Sequence, residues 1–381
     1  MELVSKRAAA AAATAAAWAL AVVMVTGQQP APEQKPMLAE DVFKNVQVLK
    51  GITVNEFMGT MGVFSLALGM SCEDCHKADD TDWANFAIDN PRKRMARAMV
   101  TMMANINKTN FGGRQMITCY TCHRGGDKPK TTPDVEKVYG APPVDPSTDI
   151  IVQAKNVPMA EQVIDKYIQA IGGAQRIAAL TSFTAKGTSV GYGPENEPRP
   201  LEMYAKAPNQ RTTIVKSADG DIVTTYDGRT AWYSAPHRPV DVLALTGPDL
   251  DGAKLDADIT FPARLTESLT KWRTGTPSTI GDREVQVVQG TGPSGLTATL
   301  YFDSESGLLL RQIRYVESPV GRLPTQVDYS DYRDVNGVKI PFKWTLTWVN
   351  GRDNYELTDL RPNVPIDAAK FARPAPPKAA R

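Results

Sequence analysis

All four cysteines of the chain fall in one five-residue pattern, used twice. The copies are Cys72-Glu73-Asp74-Cys75-His76 and Cys119-Tyr120-Thr121-Cys122-His123. Two thiols about one helical turn apart can add to the two vinyl groups of one porphyrin. The histidine beside the second thiol then lies under the ring, with an imidazole nitrogen toward the iron. The pattern predicts two covalently bound c-type haems. Cys72, Cys75 and His76 would hold the first, and Cys119, Cys122 and His123 the second. Only three histidines occur in 381 residues, and two of them close these motifs.

Other uses of paired cysteines fit less well. The gap from Cys75 to Cys119 is far longer than the roughly 15–20 residues of common four-cysteine zinc sites. Zinc also gives no reason for a histidine directly after each pair. Two structural disulfides suit an exported chain. A redox-active pair should open a helix after a strand, and the flanks do not read that way.

The elements that must position these motifs are legible. Thr53 and Glu56 are spaced as a capping box, Phe57, Met61, Phe64 and Leu68 recur at helical spacing, and Gly69 can stop the helix. A second helix opens at Asn90-Pro91, carries a stripe of Met95, Met99, Met102 and Ile106, and ends at Gly112-Gly113. Each C-x-x-C-H motif therefore follows a methionine-bearing helix. A thioether from such a helix would complete the iron and raise its potential.

At 381 residues the chain has room for two domains or more. Its 42% apolar and 22% charged residues are ordinary for globular protein, and a net charge of +1 predicts no nucleic-acid partner. Lys6 and Arg7 precede an uncharged Ala-rich stretch, and Val25 and Gly27 fit a cleavage site before Gln28. Residues 1–27 thus read as a signal peptide, or as an N-terminal membrane anchor, and the location as periplasmic or otherwise extracytoplasmic. Residues 28–37 read as a flexible tether, 38–126 as a mainly helical two-haem domain, 127–150 as a Pro-rich linker, 151–373 as a second domain and 374–381 as a disordered tail.

The stretches Asn45–Lys50, Val54–Phe57 with Thr60-Met61, and Cys72–His76 resemble the cytochrome subunit of photosynthetic reaction centres. So do Arg97-Ala98-Met99 with Met102 and Ile106-Asn107, and the run Ile117–Gly125. The resemblance spans about residues 42–130. It implies methionine sixth ligands, Met61 for the first haem and Met99 for the second, with Met58 and Met102 as fallbacks. The departures are plain. Those subunits carry four haems, whereas this chain has cysteines for two. They also place a histidine before the last motif, where Lys108–Gln115 holds none.

In the second domain, residues 158–171 read as a helix stopped by Gly172-Gly173. Asp227-Gly228, Asn336-Gly337 and Asn350-Gly351 read as two-residue hairpin turns. Lys206–Asn209, Tyr226–Trp232 and Tyr329–Phe342 resemble periplasmic lipoprotein carrier and sorting domains. That likeness implies a curved antiparallel half-barrel over a helix, with an apolar cavity. The whole fold reads as multidomain: a mainly α cytochrome module, then an α+β half-barrel domain. His237 reads as a surface-loop histidine.

The leading function is an exported two-haem electron carrier. It would work between a redox donor and acceptor, one of them in a membrane complex. The half-barrel would serve docking or bind a lipid or other apolar ligand. One alternative is a haem peroxidase or oxidase with an open iron position. Another is a lipid carrier with redox-sensing haems.

Overall fold

The computed structural model describes residues 35–76, 83–133, 135, 139, 140, 150–191, 197–236 and 238–377. The predicted signal segment, much of the linker, His237 and the end of the tail lie outside them. Pro36–Arg381 is one compact unit. Among the described residues no helix is long and apolar enough to cross a membrane.

Among the described residues, the N-terminal third holds α1 Ala39–Val42, α2 Val54–Leu68, α3 Pro91–Phe111 and α4 Cys119–His123, with a 3-10 turn at Asn85–Ala87. Their ends follow the sequence signals. Thr53 Oγ1 accepts from Glu56 N at 3.2 Å, and Gly69 leaves α2 with φ 63°. Asn90 Oδ1 accepts from Lys93 N at 3.0 Å, Pro91 takes the first turn of α3, and Gly112 ends it with φ 60°. Both stop glycines hold left-handed backbone that a Cβ would strain.

The remainder is one 14-stranded sheet, antiparallel at every pairing, with helices against it. Six strands come first: β1 Ser182–Gly191, β2 Arg199–Lys206, β3 Gln210–Val215, β4 Ile222–Tyr226, β5 Ala231–Ser234 and β6 Val242–Leu245. Eight follow: β7 Thr270–Thr274, β8 Ser278–Ile280, β9 Arg283–Thr291, β10 Thr297–Asp303, β11 Leu309–Val316, β12 Leu323–Val335, β13 Val338–Trp348 and β14 Gly351–Pro362. The spatial order is β6-β5-β4-β3-β2-β1-β14-β13-β12-β11-β10-β9-β7, with β8 on β9. β6 and β7 are thus opposite ends of the path yet adjacent in sequence. The segment between them holds α7 Gly247–Thr260 and α8 Leu265–Ser268, so it runs from one end of the sheet to the other.

Two helices precede the sheet, α5 Ala160–Ala170 and α6 Ala174–Ala179. Tyr167 on α5, Leu255 on α7, Phe183, Leu201, Phe302 and Leu357 share one buried cluster drawn from both halves of the sheet. Strands so far apart in the order can share a core only because the sheet curves. Burying each large apolar side chain contributes about 1.5–3 kcal/mol. The concave side keeps a cavity of about 160 Å³, bordered by Tyr167, Tyr329, Trp344, Arg211 and Asp256. α7 also buries Asp258, and burial pushes its pKa up to about 7 against the opposing pull of Lys254, Arg264 and the Asn209 side chain.

Three turn expectations fare differently. Asn336 and Gly337 form the two-residue turn as expected, at φ 54° and 82°, between paired Val335 and Val338. The Asp227-Gly228 turn is longer, because Tyr226 pairs with Ala231. Asp227 Oδ1 accepts from Arg229 N at 2.8 Å and Thr230 N at 2.7 Å, which stabilises a four-residue loop. At Asn350-Gly351 the register is displaced by one, since Trp348 pairs with Gly351. The turn residues are Val349 and Asn350, and Val349 is 7% exposed because it packs against α2.

Candidate haem-attachment sites

Each motif is a short helical turn with its own cap. In the first, His76 N donates to Cys72 O at 2.9 Å, and Ser71 N donates to Asp74 Oδ2 at 2.8 Å. In the second, α4 is capped by Thr118, whose N donates to Thr121 Oγ1 at 3.0 Å. A helical turn places residues three and four apart on one side, so both thiols and the histidine share a face.

The two histidines are oriented alike. His76 Nδ1 lies 3.2 Å from Phe86 O, and His123 Nδ1 lies 3.1 Å from Gly126 O. A carbonyl can only accept, so the proton sits on Nδ1 and the lone pair is left on Nε2. That is how metal-bound histidines are commonly fixed. Burial holds His76 below the usual imidazole range, with Lys93 adding to it, which favours the neutral ligand form. Burial also pushes the Cys75 thiol up, and Cys119 up to about 11. The four thiols are unpaired. Among the described residues, no three of His, Cys, Asp and Glu gather as metal donors.

The first motif faces a cleft of about 300 Å³. Its wall includes Cys72, Cys75 and His76 together with Met58 and Met61 of α2. Phe43, Phe57, Trp83 and Phe86 line it too. Phe43 stacks on Phe57 at 4.8 Å, and Phe86 lies 4.7 Å from the His76 ring. An apolar cleft carrying two thiols, one imidazole and two thioethers suits a haem with histidine and methionine ligands. Met61 and Met58 both reach it, so the cleft does not single out one of them.

Among the described residues, Cys119, Cys122 and His123 line neither the first cleft nor the groove along α3. The stripe of Met95, Met99, Met102 and Ile106 was expected to form the apolar face of α3, and its position needs correction. The face of α3 that enters the core is Val100, Met103 and Asn107, at 5–6% exposure. Met95 and Met102 are 60% and 47% exposed, and Met99 is half-buried. The physical reason is that the core here is supplied by distant residues. Val320 and Val349 from the sheet join Val63, Val100 and Met103 in one cluster, which sets the angle at which α3 lies. Met102 and Ile106 instead line a shallow open groove. The donor types at this site, two thiols and an imidazole on one helical turn, fit a haem.

Two asparagines, Asn90 read as a helix cap and Asn107, have a further role that the sequence did not reveal: they hold the motif segments to α3. Asn90 Nδ2 donates to Cys75 O at 2.7 Å. Asn107 Nδ2 donates to Ile117 O at 2.8 Å, and its Oδ1 accepts from Met116 N at 3.1 Å and Ile117 N at 2.9 Å. The available signal was a polar residue in register with Val100 and Met103, because a buried amide must find partners. Gly125 N donates to Ala67 O at 2.9 Å, which ties the end of the second motif to the end of α2. A Cβ on Gly69 would come within 2.4 Å of Gly125 O, so this crossing requires glycine.

The sheet supports both segments. A Cβ on Gly59 would meet Leu323 at 2.7 Å, and one on Gly62 would meet Val349 at 2.5 Å. Gln115 Nε2 donates to Ser318 O at 2.8 Å.

Residues 6–163 match the family model described as the photosynthetic reaction centre cytochrome C subunit. The chain is 31% identical over 150 residues to the photosynthetic reaction center cytochrome c subunit of Roseobacter denitrificans, covering 34% of this chain and 40% of that protein. It is 34% identical over 105 residues to the Thermochromatium tepidum subunit, covering 26% and 25%. The matches thus take in less than half of those relatives' length. Among solved structures, a LolA superfamily protein from Nitrosomonas europaea aligns at 14% identity and a TM-score of 0.40, over 57% of this chain and 98% of that one. The N-terminal part of the chain is therefore similar to the cytochrome c subunits of photosynthetic reaction centres, which are haem electron carriers.

Proposed function

We propose that the chain carries two covalent c-type haems and moves electrons between redox partners outside the cytoplasm. Cys72 and Cys75 attach the first and Cys119 and Cys122 the second, each by a thioether. The observation that carries this reading is the paired orientation of the histidines, each with Nδ1 on a backbone carbonyl and Nε2 left as donor. Haem supplies a one-electron Fe(III)/Fe(II) couple when bound. His76 and His123 give the fifth ligand, and Met61 and Met99 the sixth, with Met58 and Met102 next in reach. The apolar wall of the first cleft excludes water. Ligation on both sides leaves no iron position for substrate, which favours carriage of electrons over a peroxidase or oxidase reaction.

The sheet serves this reading as a platform under α2 and α3. Its own cavity is small against the ~300–1,000 Å³ of typical ligand sites, which argues for docking and support over carriage of a lipid. Residues 1–27 act as the export signal or anchor. The donor and acceptor are redox proteins, one of them a membrane complex of the kind the relatives' names describe.

The test is haem quantitation on the purified full chain, with an optical spectrum of both oxidation states. Two haems per chain that survive denaturation and a low-spin ferrous form that ignores carbon monoxide are expected. One haem or none would defeat the reading, and carbon monoxide binding at neutral pH would favour the enzyme alternative.

A further inference from the structure

The two histidine carbonyls differ in one respect. Phe86 O, the acceptor for His76 Nδ1, also accepts from Lys93 Nζ. Lys93 Nζ donates to Ile88 O as well, at 2.8 Å. Lys93 lies on the first turn of α3 and is half-buried, and its side chain forms part of the wall of the first cleft. The helix cap positions it, since Lys93 N is the donor to Asn90 Oδ1. Both of its acceptors are uncharged. Asp89, the residue directly after Ile88, pairs with Arg97 at 2.6 Å and acts on Lys93 only through space. Among the described residues no carboxylate pairs with Lys93. Gly126 O, by contrast, is the acceptor for His123, and the cations nearest it in sequence, Arg124, Lys128 and Lys130, are all exposed.

We propose that Lys93 tunes the first haem, through the carbonyl it shares with His76, to be the higher-potential of the two centres. Two effects act in the same direction. An acceptor that serves two donors polarises the His76 Nδ1–H less, so the imidazole is a weaker donor to the metal and the oxidised state is less favoured. The ammonium is also a fixed positive charge in a partly desolvated wall, where it disfavours the more positive oxidation state. Among the described residues no second side chain donates to Gly126 O, and the exposed cations near it are screened by water and salt. An electron shared between the two centres then resides mainly on the first. No bond forms or breaks and no further reactant takes part in that transfer.

The inference rests on the two-haem reading, and one experiment separates their failures. The full chain, with haem content measured, is titrated by spectroelectrochemistry and fitted to two one-electron waves. Lys93→Gln is expected to move the upper wave down and leave the lower one in place. Lys93→Arg, which keeps the charge, should leave both. Lys93→Met keeps the stem that lines the cleft and serves if Lys93→Gln loads poorly. An upper wave that stays put in a fully loaded Lys93→Gln or Lys93→Met variant would overturn the proposal. So would movement of the lower wave instead. A wild-type chain without two haems would defeat the haem reading itself.

Discussion

The first motif lines a cleft with aromatic walls and two thioethers, whereas the second is tied to a helix that buries Met103 and exposes Met95 and Met102. The two are otherwise built alike: a capped helix, a glycine stop, a one-turn motif, an asparagine from α3 and a histidine held by a carbonyl. The same local grammar therefore produces different surroundings. What differs is tertiary. Among the described residues, Val63 of α2 and Val100 and Met103 of α3 share one cluster with Leu49, Val320 and Val349. A haem in the first site would be shielded and steadied by preformed walls. A haem in the second would complete its surroundings on binding, and its edge would stay close to solvent and to a docking partner.

The sharpest test of that comparison is removal of one pair of thiols. Cys72→Ser/Cys75→Ser and Cys119→Ser/Cys122→Ser should each reduce covalent haem from two per chain to one, read by haem quantitation after denaturation. If the first pair is removed and both haems vanish, the second site depends on the first and the two are not separable.

Next come the methionines. Met61→Ala and Met99→Ala should each remove half the intensity of the methionine–iron band of the oxidised protein. The walled cleft holds Met58 in reserve, so recovery of ligation is expected at the first site sooner than at the second. A band unchanged in Met61→Ala but lost in Met58→Ala would reassign the ligand.

The asparagines should separate the sites by stability. Asn107→Ala removes three hydrogen bonds in a buried setting and should cost about 2–4 kcal/mol. Asn90→Ala removes a cap and one tie and should cost about 1–2 kcal/mol. Denaturant unfolding of the haem-loaded chain measures both. Equal losses would mean that the second motif is no more dependent on α3 than the first.

The smallest effect lies away from both sites. The folded pKa of Asp258 is raised to about 7 from its ordinary 3.8, so its burial costs stability progressively as pH rises between those values. Below pH ~4 the carboxyl is neutral in both states and the cost is absent. Asp258→Asn should therefore stabilise by about 1–3 kcal/mol at pH 8 and leave stability at pH 4 nearly unchanged. Both haem sites should keep their spectra. A change in either spectrum would mean that α7 is coupled to the haem segment.

Much of this was legible before any coordinates. Covalent chemistry, helix caps and stop glycines are encoded within a few residues, and Thr53, Asn90, Gly69 and Gly112 all behave as their types dictate. The Asn336-Gly337 turn was legible for the same reason. The features that local pattern does not reveal share a cause. The stripe of α3 was assigned from periodicity, but Val320 and Val349 decide which face is buried. The turn near Asn350 shifted by one because Val349 is drawn into the contact with α2. Asn107 reads as a polar interruption until the loop it holds is seen. Local pattern carried the chemistry, and contacts distant in sequence carried its setting.

The cluster that joins Val63 and Val349 has a consequence for biogenesis. Its members are separated by most of the chain, so the N-terminal segment cannot finish its core until the last hairpin has been made. Long-range closure of this kind is slow, and chains emerge from their N-terminus first. Both C-x-x-C-H motifs would then pass through an interval in which they are translated but not yet packed. That interval suits an enzyme that must reach four thiols, and the last hairpin would seal the product.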